Sequence, residues 1–219
     1  MSALPDTGLV LHNYFRSSTS VRVRVALNLK GVAYAYKAYH LRKGEQRSES
    51  YLKLNPFGIV PTLELPDGRV LHQSMAIIEW LEETYPEPPL IPADPVLRAR
   101  VRAAALALAC EVHPLNNLKV LNTLRQRFGA DDAAVTDWFQ LWVRETFDPL
   151  EAELAESAGT YCFGDAPGLA DICLFAQCVN NRRFQVDMAP YPTLNRIYET
   201  CLAHPAFAAA LPENAPDAE

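Results

Sequence analysis

Between Tyr85 and Pro95 the chain carries Pro86, Pro88, Pro89, Pro92 and Pro95. Neither a helix interior nor a central strand tolerates that density, because each proline removes a backbone N–H and fixes φ. The 219 residues are therefore expected to divide into 1–85, a linker 86–95, and 96–219. Before the linker, short apolar runs are interleaved with helical spacing. After it, Ala, Leu and Arg recur with helical periodicity alone. With 49% hydrophobic residues, the chain can bury a substantial core.

The first half opens with Leu9-Val10-Leu11, a short strand, followed by Tyr14-Phe15-Arg16-Ser17-Ser18-Thr19-Ser20. From Val21 the positions Val21, Val25 and Leu29, with Val23 and Leu27, keep helical spacing up to Gly31. Ser18, Thr19 and Ser20 thus fall where helix N-caps are favoured. A helix N-terminus carries partial positive charge and unpaired N–H groups, so such a turn can hold an anion, a thiolate for example. Taken alone, capping is the commoner role for these hydroxyls.

Val32 to Tyr39 reads as a second strand, and strand, helix, strand implies a parallel pair with a right-handed crossover. A polar segment, 40–49, leads to a short helix near Ser50–Leu54. Pro61 interrupts the next strand pattern and belongs at its first residue, where the Val60–Pro61 bond can be cis. Pro66-Asp67-Gly68-Arg69 turns that strand back into Val70-Leu71-His72 as a hairpin. Ser74 is the expected N-cap of the helix Met75–Glu83, and further helices are expected at 96–128, 131–158, 169–180, 193–202 and 205–210.

A net charge of −6 argues against a nucleic-acid or anionic-membrane partner. Five cysteines, odd in number and without C-x-x-C spacing, suggest neither a disulfide framework nor a metal site, and fit free thiols in the cytoplasm. No charged segment followed by an apolar core opens the sequence, and no apolar run reaches membrane-span length, so a soluble, unprocessed, intracellular protein is expected. Arg22 and Arg24 are expected to be salt-bridged or on the surface. Phe15, Trp80 and Phe184 are expected to pack. None of the five histidines has a spacing that implies a metal.

Taken together, these pieces resemble the cytosolic glutathione transferases: a βαβ-ββα half, a proline linker, a helical half, Val60-Pro61, Gln73-Ser74, and Phe163-Gly164 through Asp171-Ile172. More narrowly the chain resembles their zeta class, which includes maleylacetoacetate isomerase and the bacterial maleylpyruvate isomerases. Arg16 through Arg24, Leu54-Asn55-Pro56, Gln73 through Glu83, His113 through Asn117, and Arg183 through Asp187 carry that likeness. The resemblance implies a thioredoxin-like glutathione-binding domain followed by an all-α domain, and a homodimer. It also implies an enzyme that isomerises a cis double bond in a small dicarboxylate keto-acid, with glutathione as a nucleophilic cofactor.

By the same resemblance Ser17, Ser18, Thr19, Arg16 and Arg183 are the catalytic set, Arg183 over the substrate carboxylate. Gln73 and Ser74 hold the γ-glutamyl end of glutathione, Val60 and Pro61 its cysteinyl part, and Gln46 and His40 its glycyl end. His113 and Asn117 complete the cofactor-binding set, His113 being equally suited to a structural hydrogen bond. Two departures stand out. Thr19 occupies a position where many zeta members have cysteine, and Gly168 one where the wider family has a Ser or Thr cap paired with Asp171, a loss that affects stability more than chemistry. A broad transferase or peroxidase, or a non-catalytic interaction protein, are the alternatives; the latter would not need the hydroxyl turn, Val60-Pro61 and Gln73-Ser74 together.

Overall fold

The computed structural model describes residues 7–219. They form two compact units, one of the described residues up to Leu90 together with Ala203–Glu219, the other Ile91–Leu202.

In the first unit the chain runs β1 (Val10–Asn13), α1 (Ser18–Leu29), β2 (Ala35–Ala38), α2 (Glu49–Leu54), β3 (Thr62–Glu64), β4 (Val70–His72) and α3 (Ser74–Thr84). The sheet order is β2-β1-β3-β4. β1 and β2 are parallel, as one right-handed crossover through α1 requires, and β3 and β4 run antiparallel to their neighbours. Leu11 and Leu63 face each other in register and are completely buried. Pro61 lies just before β3, where its missing N–H costs no ladder bond, and its bond to Val60 is cis.

Helix α1 departs from expectation. Val21, Val23, Val25, Ala26 and Leu27 have no exposed surface, and Arg22 and Arg24, expected on the surface or in salt bridges, are 1% and 2% exposed. The reason is that α1 is covered on more than one side: α3 packs on it, and so does α9 (Pro205–Ala208) from the end of the chain. Asn28 Nδ2 donates to the Ala206 carbonyl at 2.9 Å. The segment after residue 202 therefore belongs with the first unit, although by sequence it follows the helical half.

The proline-rich stretch is fastened to the same unit. Buried Lys30 reaches Glu82 at 2.5 Å and donates to the Pro88 carbonyl at 2.9 Å, while the Glu82 carboxylate accepts the Leu90 N–H at 3.0 Å.

The second unit holds α4 (Pro95–Leu106), α5 (Leu118–Phe128), α6 (Asp132–Ser157), α7 (Leu169–Arg183) and α8 (Pro192–Ala203), the last ending at the unit boundary. The helix expected over 96–128 is in fact interrupted. After α4 the backbone widens into a π-helical segment, Ala107–Val112, with the His113 N–H reaching back to the Leu108 carbonyl at 3.3 Å. Pro114 cannot continue the ladder, and turns follow up to Asn117. The Trp138 indole N–H, donating to Leu115 O at 3.0 Å, and the Asn116 amide, donating to Phe139 O at 3.0 Å, hold the break against α6. Gly129, at φ +68°, ends α5 as a left-handed cap.

Candidate active site

The register decides which residues meet. Asn13, at the end of β1, pairs with Ala38, at the end of β2. His12 pairs with Thr62, which opens β3, and Thr62 in turn pairs with His72, which closes β4. The chain therefore leaves β1, β2 and β4, and enters β3, at one end of the sheet. Arg16 to Thr19, His40 and Gln73-Ser74 follow those strand ends, and Val60-Pro61 immediately precede β3.

Ser17, not one of the three residues after it, is the N-cap of α1, its Oγ accepting the Ser20 N–H at 3.3 Å. Ser18 is the first helical residue and is 6% exposed. Thr19 Oγ1 donates to the Val60 carbonyl at 3.1 Å and lies 2.8 Å from Ser17 Oγ. With the Thr19 hydrogen on Val60, the hydrogen between the two hydroxyls comes from Ser17, so the bonds run Ser17 to Thr19 to Val60. That chain joins the first turn of α1 directly to the loop before β3. No acidic residue stands in the first turn of α1, so its partial positive charge is not neutralised from within. The Arg16 guanidinium lies 4.8 Å from the centre of the Phe15 ring.

The loop before β3 is fixed from its other side by residues that sequence reasoning did not single out. The Tyr51 hydroxyl donates to Ile59 O at 2.6 Å, and Asn55 Nδ2 lies 3.0 Å from both Ile59 O and Thr62 Oγ1. Asn55 is completely buried, and burial pushes the Tyr51 phenol up to about 12. The Leu54-Asn55-Pro56 run is the signal in the sequence for Asn55, and nothing there points to Tyr51.

Ser74 is not the N-cap of α3 but its first residue. Gln73 takes the cap position at φ 72°, ψ 117°, without a side-chain capping bond. A non-glycine residue at positive φ is held there by its surroundings, and such residues concentrate at ligand sites. Gln46, in a 3-10 turn after β2, keeps its Oε1 buried with no hydrogen-bond partner among the described residues. His40 Nδ1 caps the preceding turn by accepting the Lys43 N–H at 3.2 Å, and its Nε2 is 3.2 Å from Glu219.

The other candidates belong to the second unit. His113 closes the π-helical segment, its Nε2 3.5 Å from Asn117 Nδ2. Asn117 is the N-cap of α5, accepting the Lys119 N–H at 3.1 Å. Arg183 is the exposed last residue of α7, with Nη1 3.4 Å from Asn180 Oδ1. Behind it, Phe184 stacks on Phe139 at 3.8 Å and its carbonyl accepts from Gln140 at 3.0 Å, which fixes the turn that Arg183 stands on.

The sequence matches the family model of the glutathione S-transferase N-terminal domain over residues 16–84 and that of the C-terminal domain over residues 118–205. It is 49% identical to a maleylpyruvate isomerase of Ralstonia sp, over 94% of this chain and 98% of that protein. The chain belongs to the glutathione S-transferase family. A holo structure of a maleylpyruvate isomerase, described as a bacterial glutathione S-transferase of the zeta class, superposes on it with a TM-score of 0.94. The two are 48% identical over 96% of this chain and 100% of that one. A maleylacetoacetate isomerase of Methylobacterium extorquens AM1, solved with malonate and glutathione bound, gives a TM-score of 0.92 at 39% identity, over 96% and 99% of the two chains. In this zeta-class chain the sheet-end cluster lies within the span of the N-terminal family model, and Arg183 lies within that of the C-terminal one.

Proposed function

We propose that this chain is a glutathione-dependent cis–trans isomerase of a maleyl keto-acid, maleylpyruvate or maleylacetoacetate. The observation that carries the reading is the single sheet end at which the hydroxyl turn, Val60-Pro61 and Gln73-Ser74 converge, at a helix terminus with no carboxylate of its own. The residues suit a γ-glutamyl tripeptide. The strained Gln73 presents the start of α3 to its amino-acid end, the Val60 carbonyl keeps one lone pair beyond the Thr19 bond for the cysteinyl N–H, and the orphaned Gln46 Oε1, with His40, faces the glycyl end.

Bound glutathione supplies a thiolate nucleophile that lets the cis double bond turn. The chain's task is to keep that sulfur ionised and to seat the acceptor. Lowering a thiol by about two pKa units takes about 2.7 kcal/mol. One charge-assisted hydrogen bond, from Ser18 or from Ser17 or Thr19 once its hydrogen turns from the Ser17–Thr19–Val60 chain to the sulfur, about 1.5–3 kcal/mol, and up to about 1 from the helix terminus supply it. Nucleophilicity falls with basicity, so acidification alone gains only about a few-fold. The larger share falls to groups that orient the substrate and stabilise charge on its oxygens, for which Arg16 and Arg183 are the candidates, while His113 and Asn117 remain candidates for the cofactor.

Purified protein is expected to convert both maleyl keto-acids only when glutathione is present. No turnover of either, together with conjugation of simple electrophiles, would replace this reading by a general transferase. Arg183→Ala is expected to raise KM for the keto-acid about tenfold or more with glutathione affinity unchanged. A cytoplasmic homodimer belongs to the same proposal, supported by family membership and by five cysteines that form no disulfide, and sedimentation measures the assembly directly.

A further inference from the structure

The backbone of the turn that carries the hydroxyls is held by groups from far along the chain. Arg24 lies buried beneath it, and among the described residues its hydrogen bonds go to neutral oxygens. Its Nη1 donates to Asn13 Oδ1 at 2.9 Å, and its Nη2 donates to the carbonyls of Phe15 and Ala210, each at 2.9 Å. The Phe15 N–H donates to Asp217 Oδ2 at 3.2 Å, across 202 positions of sequence, and the Tyr36 hydroxyl donates to the other oxygen of the same carboxylate. Ala215 packs against the cluster of Tyr14, Phe15, Tyr51 and Val60. Both polar backbone groups of Phe15 are thus satisfied by Arg24 and Asp217 rather than by neighbouring backbone, and Phe15 lies two residues before the α1 cap. The Ser17 N–H, bonded to Tyr14 O at 3.0 Å, passes that constraint to the cap itself.

We propose that Asp217 and Arg24 are positioning residues for the reaction: they clamp Phe15 from both sides and so fix where the Ser17, Ser18 and Thr19 hydroxyls point. The inference rests on the thiolate-holding reading of that turn. It makes the segment after α9 part of the catalytic apparatus without touching substrate or glutathione. A hydroxyl free to move by an ångström loses most of its hold on an anion, because charge-assisted hydrogen bonds depend steeply on distance and angle.

The test uses the full chain with Asp217→Ala, Asp217→Asn and Tyr36→Phe, following the pH dependence of kcat/KM and the absorbance titration of bound glutathione, with Tm as a check on folding. Asp217→Ala is expected to lower kcat/KM about tenfold and to move the thiolate pKa upward, at a Tm within a few degrees of the parent. Asp217→Asn keeps an oxygen for the Phe15 N–H and is expected to recover most of the activity. Tyr36→Phe, which only loosens the carboxylate, should lose about two- to threefold in the same direction.

An unmoved titration and unchanged kcat/KM in Asp217→Ala would overturn the proposal, as would an Asp217→Asn variant as impaired as Asp217→Ala, which would make charge and not the hydrogen bond responsible. Thr19→Val serves as the control. If it shifts the titration while Asp217→Ala does not, the clamp alone is wrong. If neither does, the hydroxyl-turn reading falls and takes the clamp with it.

Discussion

Helices α1 and α7 each start inside a unit, and their first turns are completed in opposite ways. At α7 the cap is Gly168, which has no side chain to offer, and the fold supplies its own anion instead: Asp171, 2% exposed, accepts the N–H groups of Gly168 at 2.9 Å and Cys162 at 2.8 Å. Burial pushes that carboxyl up, and the two N–H groups pull against it. At α1 the cap is Ser17, three hydroxyl residues follow, and the first turn holds no carboxylate. A helix end neutralised from within has a structural task. One that is lined with hydroxyls and lacks an anion is prepared to receive one, which is why the second, and not the first, is the candidate catalytic feature.

The sharpest way to break the comparison is Asp171→Ala. It leaves the buried Cys162 N–H and the half-buried Gly168 N–H unanswered and should cost about 3 kcal/mol or more, read as the shift of a urea unfolding midpoint. A loss below about 1 kcal/mol would remove the structural half of the contrast. Next in size, Ser18→Asp gives α1 the carboxylate it lacks. Glutathione binding at pH 7 should weaken about tenfold or more by calorimetry, and unchanged binding would mean the helix end attracts no anion. Thr19→Val breaks the bridge to Val60 and should lower kcat/KM about tenfold with little change in KM for the keto-acid. A KM effect alone would assign Thr19 to ground-state binding. The smallest effect is expected from Gly168→Ser, which restores the missing half of the capping box and should add a few tenths of a kcal/mol, a gain of about 1–2 °C in Tm.

Much of the first unit was legible because its signals are local. The hydrophobic alternation, the Pro66–Arg69 turn, the proline before β3 and the Gly31 stop each lie within a few residues of what they specify. Cap positions were displaced by one at Ser17 and at Gln73, since propensity favours several adjacent residues and only the backbone path selects among them. The interruption at 107–117 was harder to read. Ala-rich periodicity runs up to it, and only Pro114, together with the bonds from Trp138 and Asn116, halts the helix. The arginines of α1 went the other way. Their spacing beside a valine face reads as exposed until α3 and α9 cover the helix on further sides.

By itself the sequence determined the order of the elements and pointed to the hydroxyl turn, because both depend on side chains that are near neighbours along the chain. Only the tertiary structure decided that three separate loops leave the sheet at one end, that Arg24 sits inside, and that a carboxylate 202 residues away grips Phe15. Strand register and burial are settled by which surfaces can exclude water together, and no window of sequence contains both partners of such a contact.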